Sequence, residues 1–164
     1  MSIPTVEKIE QFGAVIDNYL SIRMLALTSN QNVSSDTLTP VTELTAQMEV
    51  DSGQLYKYSG IFYYSAGSSG FVLSISNLSV LKGISAARFF NPGGTNSESI
   101  QAGGTPSWSC DESNISTDGV MLLDGYFVAS DDRTLTIQAR RQTASGTLIL
   151  HEGSQMTFEK VITS

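Results

Sequence analysis

Residues 124–158 read DGYFVASDDRTLTIQARRQTASGTLILHEGSQMTF, and this stretch decides the fold. Leu135, Ile137 and Ala139 alternate with polar residues, which is the period of a strand with one buried face. The turn sequences DDR and TASG bound this strand, because Asp and Gly suit tight turns. The segment QMTFEKVI at 155–162 repeats the alternation. The stretch therefore predicts successive antiparallel strands joined by short turns.

The same period of two runs through the earlier part of the chain, where Tyr58, Phe62 and Tyr64 share one face of a predicted strand. The segments with this pattern are LTAQMEV (44–50), QLYKYSGIFYYSA (54–66), FVLSIS (71–76) and, less regularly, residues 77–90. About eight strands at short, regular spacing are typical of a sandwich. We therefore predict an all-β fold, an antiparallel β-sandwich or jelly roll of about eight strands spanning 41–164, preceded by one N-terminal amphipathic α-helix.

The N-terminal segment, residues 1–27, follows a different period. Its apolar residues recur at spacings of three and four, which predicts one stripe along a helix. The stripe consists of Ile9, Phe12, Ile16 and Tyr19. It needs a partner, which can be its own domain, a sister subunit or another protein. We predict a helical arm over 1–27 and a polar linker over 28–40.

Residues 91–118 are predicted to be mainly loop, because they contain two Gly-Gly pairs and two prolines. Long loops inside compact domains often carry function. A short strand is expected around Trp108, and this residue is the candidate for contact with a ligand from an exposed loop.

Length and charge limit the classes of function. A chain of 164 residues fits one domain that buries a sizeable core. Its net charge of −7 repels phosphate backbones, so nucleic-acid binding is not expected. Arg140 and Arg141 are read as solvated strand residues, with a local basic patch as the alternative. No secretory signal and no apolar run of membrane-spanning length is found, so we expect a chain that is made in a cytoplasm and stays soluble, with no membrane partner.

The residues that carry metal chemistry are scarce. His151 is the only histidine and Cys110 the only cysteine, whereas a zinc site uses three or four such ligands. Cys110 is interpreted as a small, partly buried residue. Asp131 and Asp132 suit a tight turn, with a calcium site as the weaker alternative. No cofactor and no metal are predicted.

No hydrolase motif is found, because His151 falls inside a strand-like segment and no Gly-x-Ser-x-Gly elbow accompanies it. The cluster Tyr56, Tyr58, Tyr63 and Tyr64 can stack sugars or bases, but alternation places half of it in a core or a subunit interface. The sequence therefore predicts a protein that is not an enzyme.

A strand pattern known from other proteins occurs in two parts of the chain. The first part is SSDTLTPVTELTAQMEVDSGQLYKYSGIFYYSAGSSGFVLSIS (34–76). The second consists of the segments DGYFVASDDRTLTIQARR and TLILHEGSQMTF near the end. The pattern is a polar lead-in, an alternating strand, an aromatic-rich Y-x-Y strand and a closing G-S-x-M strand. It resembles the jelly-roll virion proteins of tailed bacteriophages, whose strands are similar to those of tumour necrosis factor and C1q heads. The resemblance covers about residues 34–162.

The resemblance implies a homotrimer of jelly rolls on a virion, made in the bacterial host cytoplasm. A capsid decoration (cement) protein on the head surface is expected, with the major capsid protein as partner and the N-terminal stripe in contact with the shell or a sister subunit. The alternative is a tail-fibre or receptor-binding head, or another tail or baseplate component, that binds the bacterial surface through the loop with Trp108. An enzyme of the cupin or lectin-like type is disfavoured, because cupin metal sites use several histidines.

Overall fold

A computed structural model of the chain describes residues 22–44, 48–66, 70–76, 80–91, 96–110, 118–143 and 146–161. These residues form thirteen strands and one short 3₁₀ helix over Thr42–Leu44. The strands are β1 (Ile22–Ala26), β2 (Gln31–Val33), β3 (Thr39–Pro40), β4 (Met48–Val50), β5 (Leu55–Ala66), β6 (Phe71–Ser76), β7 (Val80–Phe90), β8 (Ser97–Ala102), β9 (Ser107–Cys110), β10 (Gly119–Ala129), β11 (Arg133–Arg141), β12 (Leu148–Leu150) and β13 (Gln155–Val161).

Two antiparallel sheets pack face to face. The first sheet has the order β1-β13-β5-β10-β7-β8, and β12 joins it by pairing with both β2 and β5. The second has the order β3-β11-β6-β9, with β4 also paired to β11. From β5 to β6 to β7, and from β10 to β11, the chain crosses to the opposite sheet, which is the connectivity of a jelly roll.

The predicted fold class is wrong in its helix and its strand number. The described chain is all-β with thirteen strands, and no α-helix occurs in it. Residues 22–26, predicted as the end of the helical arm, form β1, which pairs in register with β13. Pairing between distant segments overrides helix propensity, which is a weak preference. Residues 1–21 lie outside the described part.

The predicted strand over 44–50 is also corrected. The structure has the 3₁₀ helix over Thr42–Leu44 and then β4, and the side chain of Leu44 is buried in the core. Glu43 fixes this helix, because its carboxylate accepts hydrogen bonds from the backbone N–H of Thr28 and from the hydroxyls of Thr28 and Ser29. The Thr28 backbone hydrogen bond, above all, lowers the pKa of the Glu43 carboxyl.

Aromatic rings fill the space between the sheets. The Tyr58 ring packs against those of Trp108, Phe127 and Phe158, at centroid distances of 6.0, 6.1 and 5.9 Å. Burial raises the pKa of Tyr58 to about 12. The core therefore contains rings from both sheets, because Trp108 comes from β9 of the second sheet and Tyr58 from β5 of the first.

Two glycines of β10 allow tyrosine rings to lie across its backbone. Gly125 is the register partner of Tyr58, and Gly119 is that of Tyr64. A Cβ on Gly125 would lie 2.3 Å from Cζ of Tyr58, and one on Gly119 would lie 2.5 Å from Cζ of Tyr64. No larger residue fits at either position without displacing a buried ring.

An ion pair ties β13 to the turn between β4 and β5. Lys160 Nζ lies 2.8 Å from Asp51 Oδ2, and this hydrogen bond lowers the pKa of the Asp51 carboxyl. We expect the variant Lys160→Met to raise the Asp51 pKa back towards its ordinary value, as measured by an NMR pH titration of the carboxyl carbon. Lys82→Met, on the opposite side of the first sheet, is the control and should leave it unchanged.

The sign of the effect on stability follows from this lowered pKa. The Asp51 carboxyl has a lower pKa in the folded chain than in the unfolded chain. The ion pair therefore stabilises the fold at pH values above the pKa that Asp has in the unfolded chain. The contribution is lost as the pH falls through the lowered folded value. The two side chains are 37% and 61% exposed, so water screens the pair and its contribution is small. An Asp51 titration that is identical in the two proteins would contradict the assignment.

Candidate interaction surface

Large apolar side chains are exposed mainly on the first sheet. Seven of the eight such residues in the described chain belong to its strands β1, β5, β7, β8 and β10. They are Met24, Tyr63, Leu81, Ile84, Phe90, Ile100 and Tyr126. The eighth, Leu38, precedes β3 of the second sheet. We call the side of the first sheet that points away from the second sheet the outer face.

The alternation of side chains along β10 shows how the outer face is built. Met121, Leu123 and Phe127 are buried in the core, whereas Asp124 and Tyr126 are exposed. Strand register places Tyr126 between Ile84 of β7 and Lys57 of β5. Tyr126 and Ile84 are 45% and 54% exposed, so they form a continuous apolar surface with Ile100 on the neighbouring edge strand β8.

The charges on the outer face nearly balance. Arg88 Nε donates to Glu98 Oε1 over 2.9 Å across β7 and β8, and this hydrogen bond raises the pKa of Arg88. The charged residues that the described strands present on this face are three cations and three carboxylates: Lys57, Lys82, Arg88, Glu98, Asp124 and Glu159. The carboxylate of Asp118 lies beyond these strands, at the end of the face. The whole chain carries a net charge of −7, so the outer face is much less repulsive towards another copy than the rest of the surface.

The site residues predicted from the sequence do not form this surface. Ile9, Phe12, Ile16 and Tyr19 lie outside the described residues, and their contacts stay a prediction. Trp108 is fully buried in β9, so its predicted place in an exposed loop is wrong. Side chains alternate between the two faces of a strand, so the polar neighbours of Trp108 point outwards and Trp108 points into the core. Its register partner on β6 is Leu73, which is also buried.

The long predicted loop over 91–118 contains two strands, β8 and β9, joined by a corner at residues 103–106. Gln101 holds this corner, because its side-chain amide both accepts from the backbone N–H of Ser107 and donates to the Ser107 carbonyl. Cys110, at the end of β9, is buried. The corner is therefore a fixed crossing between the sheets.

The residues considered for calcium make structural contacts. Asp132 Oδ1 accepts a hydrogen bond from Ser52 N over 2.7 Å, and Asp131 pairs with Arg133. Within the described residues no group of three or more His, Cys, Asp or Glu side chains has an arrangement that could hold a metal ion.

The adjacent arginines at the end of β11 are half-buried. Arg140 Nη1 donates to the Arg141 carbonyl over 3.3 Å, and Arg141 Nη1 donates to the Gly146 carbonyl. Neither forms an ion pair with a described carboxylate. Their visible role is to hold the segment after β11 in place.

The predicted tyrosine cluster divides between the core and the surface. Tyr56, Tyr58 and Tyr64 are buried, and burial raises the pKa of Tyr64 well above its ordinary value. Tyr63 points to the outer face and is 39% exposed. Alternation along β5 is the signal that separates the two groups.

Sequence reasoning missed one polar cluster, which lies at the end of the outer face. Ser65 Oγ lies 2.6 Å from His151 Nε2 and also bonds to Asp118 Oδ1. His151 directly follows β12 and does not lie within a strand. The serine hydroxyl stands between the imidazole and the carboxylate, whereas in a hydrolase triad the imidazole stands between the other two groups. The order of contacts is therefore not that of a triad.

The helical content of the described chain is limited to the 3₁₀ helix, and none of it is long and apolar enough to cross a membrane.

No family model matches the chain, and no curated protein matches it. Among solved structures, the chain is similar to an Eiger TNF from S. frugiperda, with 11% identity, a TM-score of 0.40, and coverage of 87% of this chain and 93% of the other. The CBM22-1-GH10 modules of xylanase 10B from Clostridium thermocellum match with 13% identity and a TM-score of 0.38, over 88% of this chain and 25% of that one.

A third similar structure is the VP2 subviral particle of infectious bursal disease virus, with 10% identity and a TM-score of 0.22, over 87% of this chain and 37% of that one. The chain thus spans about a quarter of the xylanase modules and about a third of VP2. All three TM-scores lie below 0.5, and likenesses at this level carry no argument about function. The jelly-roll assignment depends on the strand order of the chain itself.

Proposed function

We propose that the protein is a structural protein of a phage virion that assembles as a homotrimer through its outer face. The observation that supports this most directly is the concentration of exposed apolar side chains on one sheet. Apolar patches of this kind on a folded domain mark sites of interaction with other proteins. The protein acts in this proposal by binding surfaces together, without catalysis or cofactors.

The outer face is large enough for a stable contact. A strand residue covers about 3.3 Å along the strand and about 4.8 Å between strands, so the six strands in register present roughly 800 Å². One partner in a standard interface contributes about 800 Å², and a specific contact needs about 1,000 Å² in total. The face therefore meets the requirement even when part of it remains open.

A second copy is the occupant that the charges favour. An acidic partner meets repulsion from a chain of net charge −7, but the outer face, whose charges balance, can pack against the neighbouring subunit in a ring of three without this penalty. The exposed ion pair between Arg88 and Glu98 can exchange partners across such an interface. The Tyr126–Ile84–Ile100 region supplies the apolar centre.

Substitution of Ile84 by Asp should break this association. A buried, unpaired carboxylate at an interface costs about 2–5 kcal/mol, so the dissociation constant should rise on the order of 30-fold or more. Sedimentation equilibrium should give three times 17.6 kDa for the wild type and mainly monomer for Ile84→Asp.

Leu38→Asp is the matched control, because Leu38 is an exposed leucine off the outer face. It should sediment as the wild type does. A wild-type protein that is monomeric at all concentrations would refute self-association, and a trimeric Ile84→Asp variant would place the contact elsewhere.

Capsid decoration is the more specific form of the proposal. Many identical copies on a shell add their contacts together, so a modest interface per copy suffices to strengthen the seams between capsomers. Cryo-electron microscopy of the virion tests this directly: density for the domain is expected on the head surface. Density on the tail would favour the alternative, a receptor-binding component. Trp108 cannot contact a receptor in that case, because its side chain is buried.

A further inference from the structure

Tyr63 lies at one end of the outer face, away from its apolar centre. It pairs in register with Val120, which pairs with Phe90, whereas Tyr126 lies six residues further along β10. At about 3.3 Å per residue, roughly 20 Å separate the two exposed tyrosines. A ligand bound at Tyr63 therefore leaves the centre of the outer face accessible.

The backbone of Tyr63 is held rigidly by the segment between β12 and β13. His151 N donates to the Tyr63 carbonyl over 2.9 Å, and Tyr63 N donates to Ser154 Oγ over 3.0 Å. Ser154 is fully buried. The backbone from which the exposed ring extends is therefore fixed before a ligand binds, so binding does not have to order it.

Polar groups flank this ring on the same face of the sheet. Ser65 is two residues along β5, about 7 Å away, and its hydroxyl contacts both His151 and Asp118. Ser65 Oγ donates to Asp118 Oδ1, and a hydroxyl has only one proton to donate. The hydroxyl oxygen then accepts, which requires a hydrogen on His151 Nε2.

This hydrogen-bond order assigns Nδ1 as the acceptor nitrogen of the His151 ring. In the tautomer with its hydrogen on Nε2, the ring nitrogen Nδ1 carries a lone pair and can accept a hydrogen bond. An exposed ring beside a carboxylate and an imidazole acceptor matches a sugar. The C–H face of a pyranose packs on the ring, and its hydroxyls donate to the acceptors at the edge.

The local charge selects among saccharides. Asp118 lies in the cluster, and the exposed Glu152 follows His151. Two carboxylates in a chain of net charge −7 repel sialic, uronic and phosphorylated sugars. We propose that Tyr63, Ser65, His151 and Asp118 form a binding site for a neutral saccharide. This proposal goes beyond the virion role and does not depend on trimer formation.

Saturation-transfer difference NMR on the full chain provides the test. The probes are maltohexaose, cellohexaose and chitotetraose, with sialyllactose as the anionic comparison, each at up to about 10 mM, which nearly fills a site with a dissociation constant near 1 mM. We expect at least one neutral probe to bind, with chemical-shift changes at Tyr63 and His151, and sialyllactose not to bind.

The variant Tyr63→Ala should weaken binding of that probe at least tenfold, and Asp118→Asn should weaken it as well. Leu38→Ala is the control, since it removes an exposed apolar side chain that lies off the outer face, and binding should not change. The site is refuted if no neutral probe binds, if Tyr63→Ala binds as the wild type does, or if Leu38→Ala loses binding equally.

Discussion

Replacement of Trp108 by Ala should lower the free energy of unfolding by about 3–5 kcal/mol, the largest effect expected of any single substitution in this chain. Trp108 is the largest fully buried side chain, and its ring packs on that of Tyr58. It lies on β9, an edge strand whose one strand partner among the described residues is β6. Urea denaturation followed by circular dichroism measures the change, since the variant lacks the single tryptophan.

Trp108→Phe is the control for this effect. The indole N–H is buried and has no hydrogen-bond partner among the described residues, so its removal also removes an unsatisfied donor. Phe keeps most of the apolar volume, and a loss of less than about 2 kcal/mol is expected. If Ala and Phe cost the same, the ring of Trp108 does not stabilise the core in the way that its burial indicates.

Gly125→Ala should destabilise the fold by about 3 kcal/mol, because a methyl group would overlap a buried ring. The added Cβ would lie 2.3 Å from both Cζ and Oη of Tyr58. The Tyr58 ring is confined by Trp108, Phe127 and Phe158, so it cannot turn away. Thermal unfolding of the variant, followed by calorimetry, checks this prediction.

The clash itself is tested by a second substitution in the partner residue. Tyr58→Leu removes the overlapping atoms, so the double variant should be at least about 1 kcal/mol more stable than the sum of the two single changes predicts. Asp124→Ala, at the exposed neighbouring position, should stay within about 0.5 kcal/mol of the wild type. If the two substitutions lower the free energy of unfolding additively, the effect of Gly125→Ala comes from the backbone and not from overlap with the Tyr58 ring.

Strands whose pattern is strong were predictable from the sequence. Leu135, Ile137 and Ala139 are buried as the alternation of TLTIQARR predicts, and Met156 and Phe158 are buried in β13. In these segments polarity alternates with the period of the strand, so local chemistry and burial agree.

The short strands were not predictable, because distant partners stabilise them. β1 pairs with β13, β2 with β12 and β3 with β11, each more than 90 residues along the chain. Strand β3 has only two residues, which is too few to show an alternation of apolar and polar side chains. A single sequence does not reveal which distant segments meet, and the same limitation led to the wrong assignment of a helix at residues 22–26.

The candidate surface has a signal in the sequence of β10. In VMLLDGYFVA, apolar residues occupy both parities of β10, and Val120, Leu122 and Tyr126 belong to the outer face. A strand that is apolar on both sides indicates that both faces are covered. The polar cluster at Ser65 had no such signal, because 53 residues separate Ser65 from Asp118 and 86 separate it from His151.

The central position of β5 has a consequence for synthesis on the ribosome. One neighbour of β5, β10, ends at Ala129, and the other, β13, ends at Val161. At 5–20 residues per second, a nascent chain waits roughly 5–20 s after Ala66 before β13 can be added. During that interval β5 presents an open, aromatic-rich edge to its surroundings, so the yield of native protein should depend on chaperone capacity more than on the stability of the finished fold.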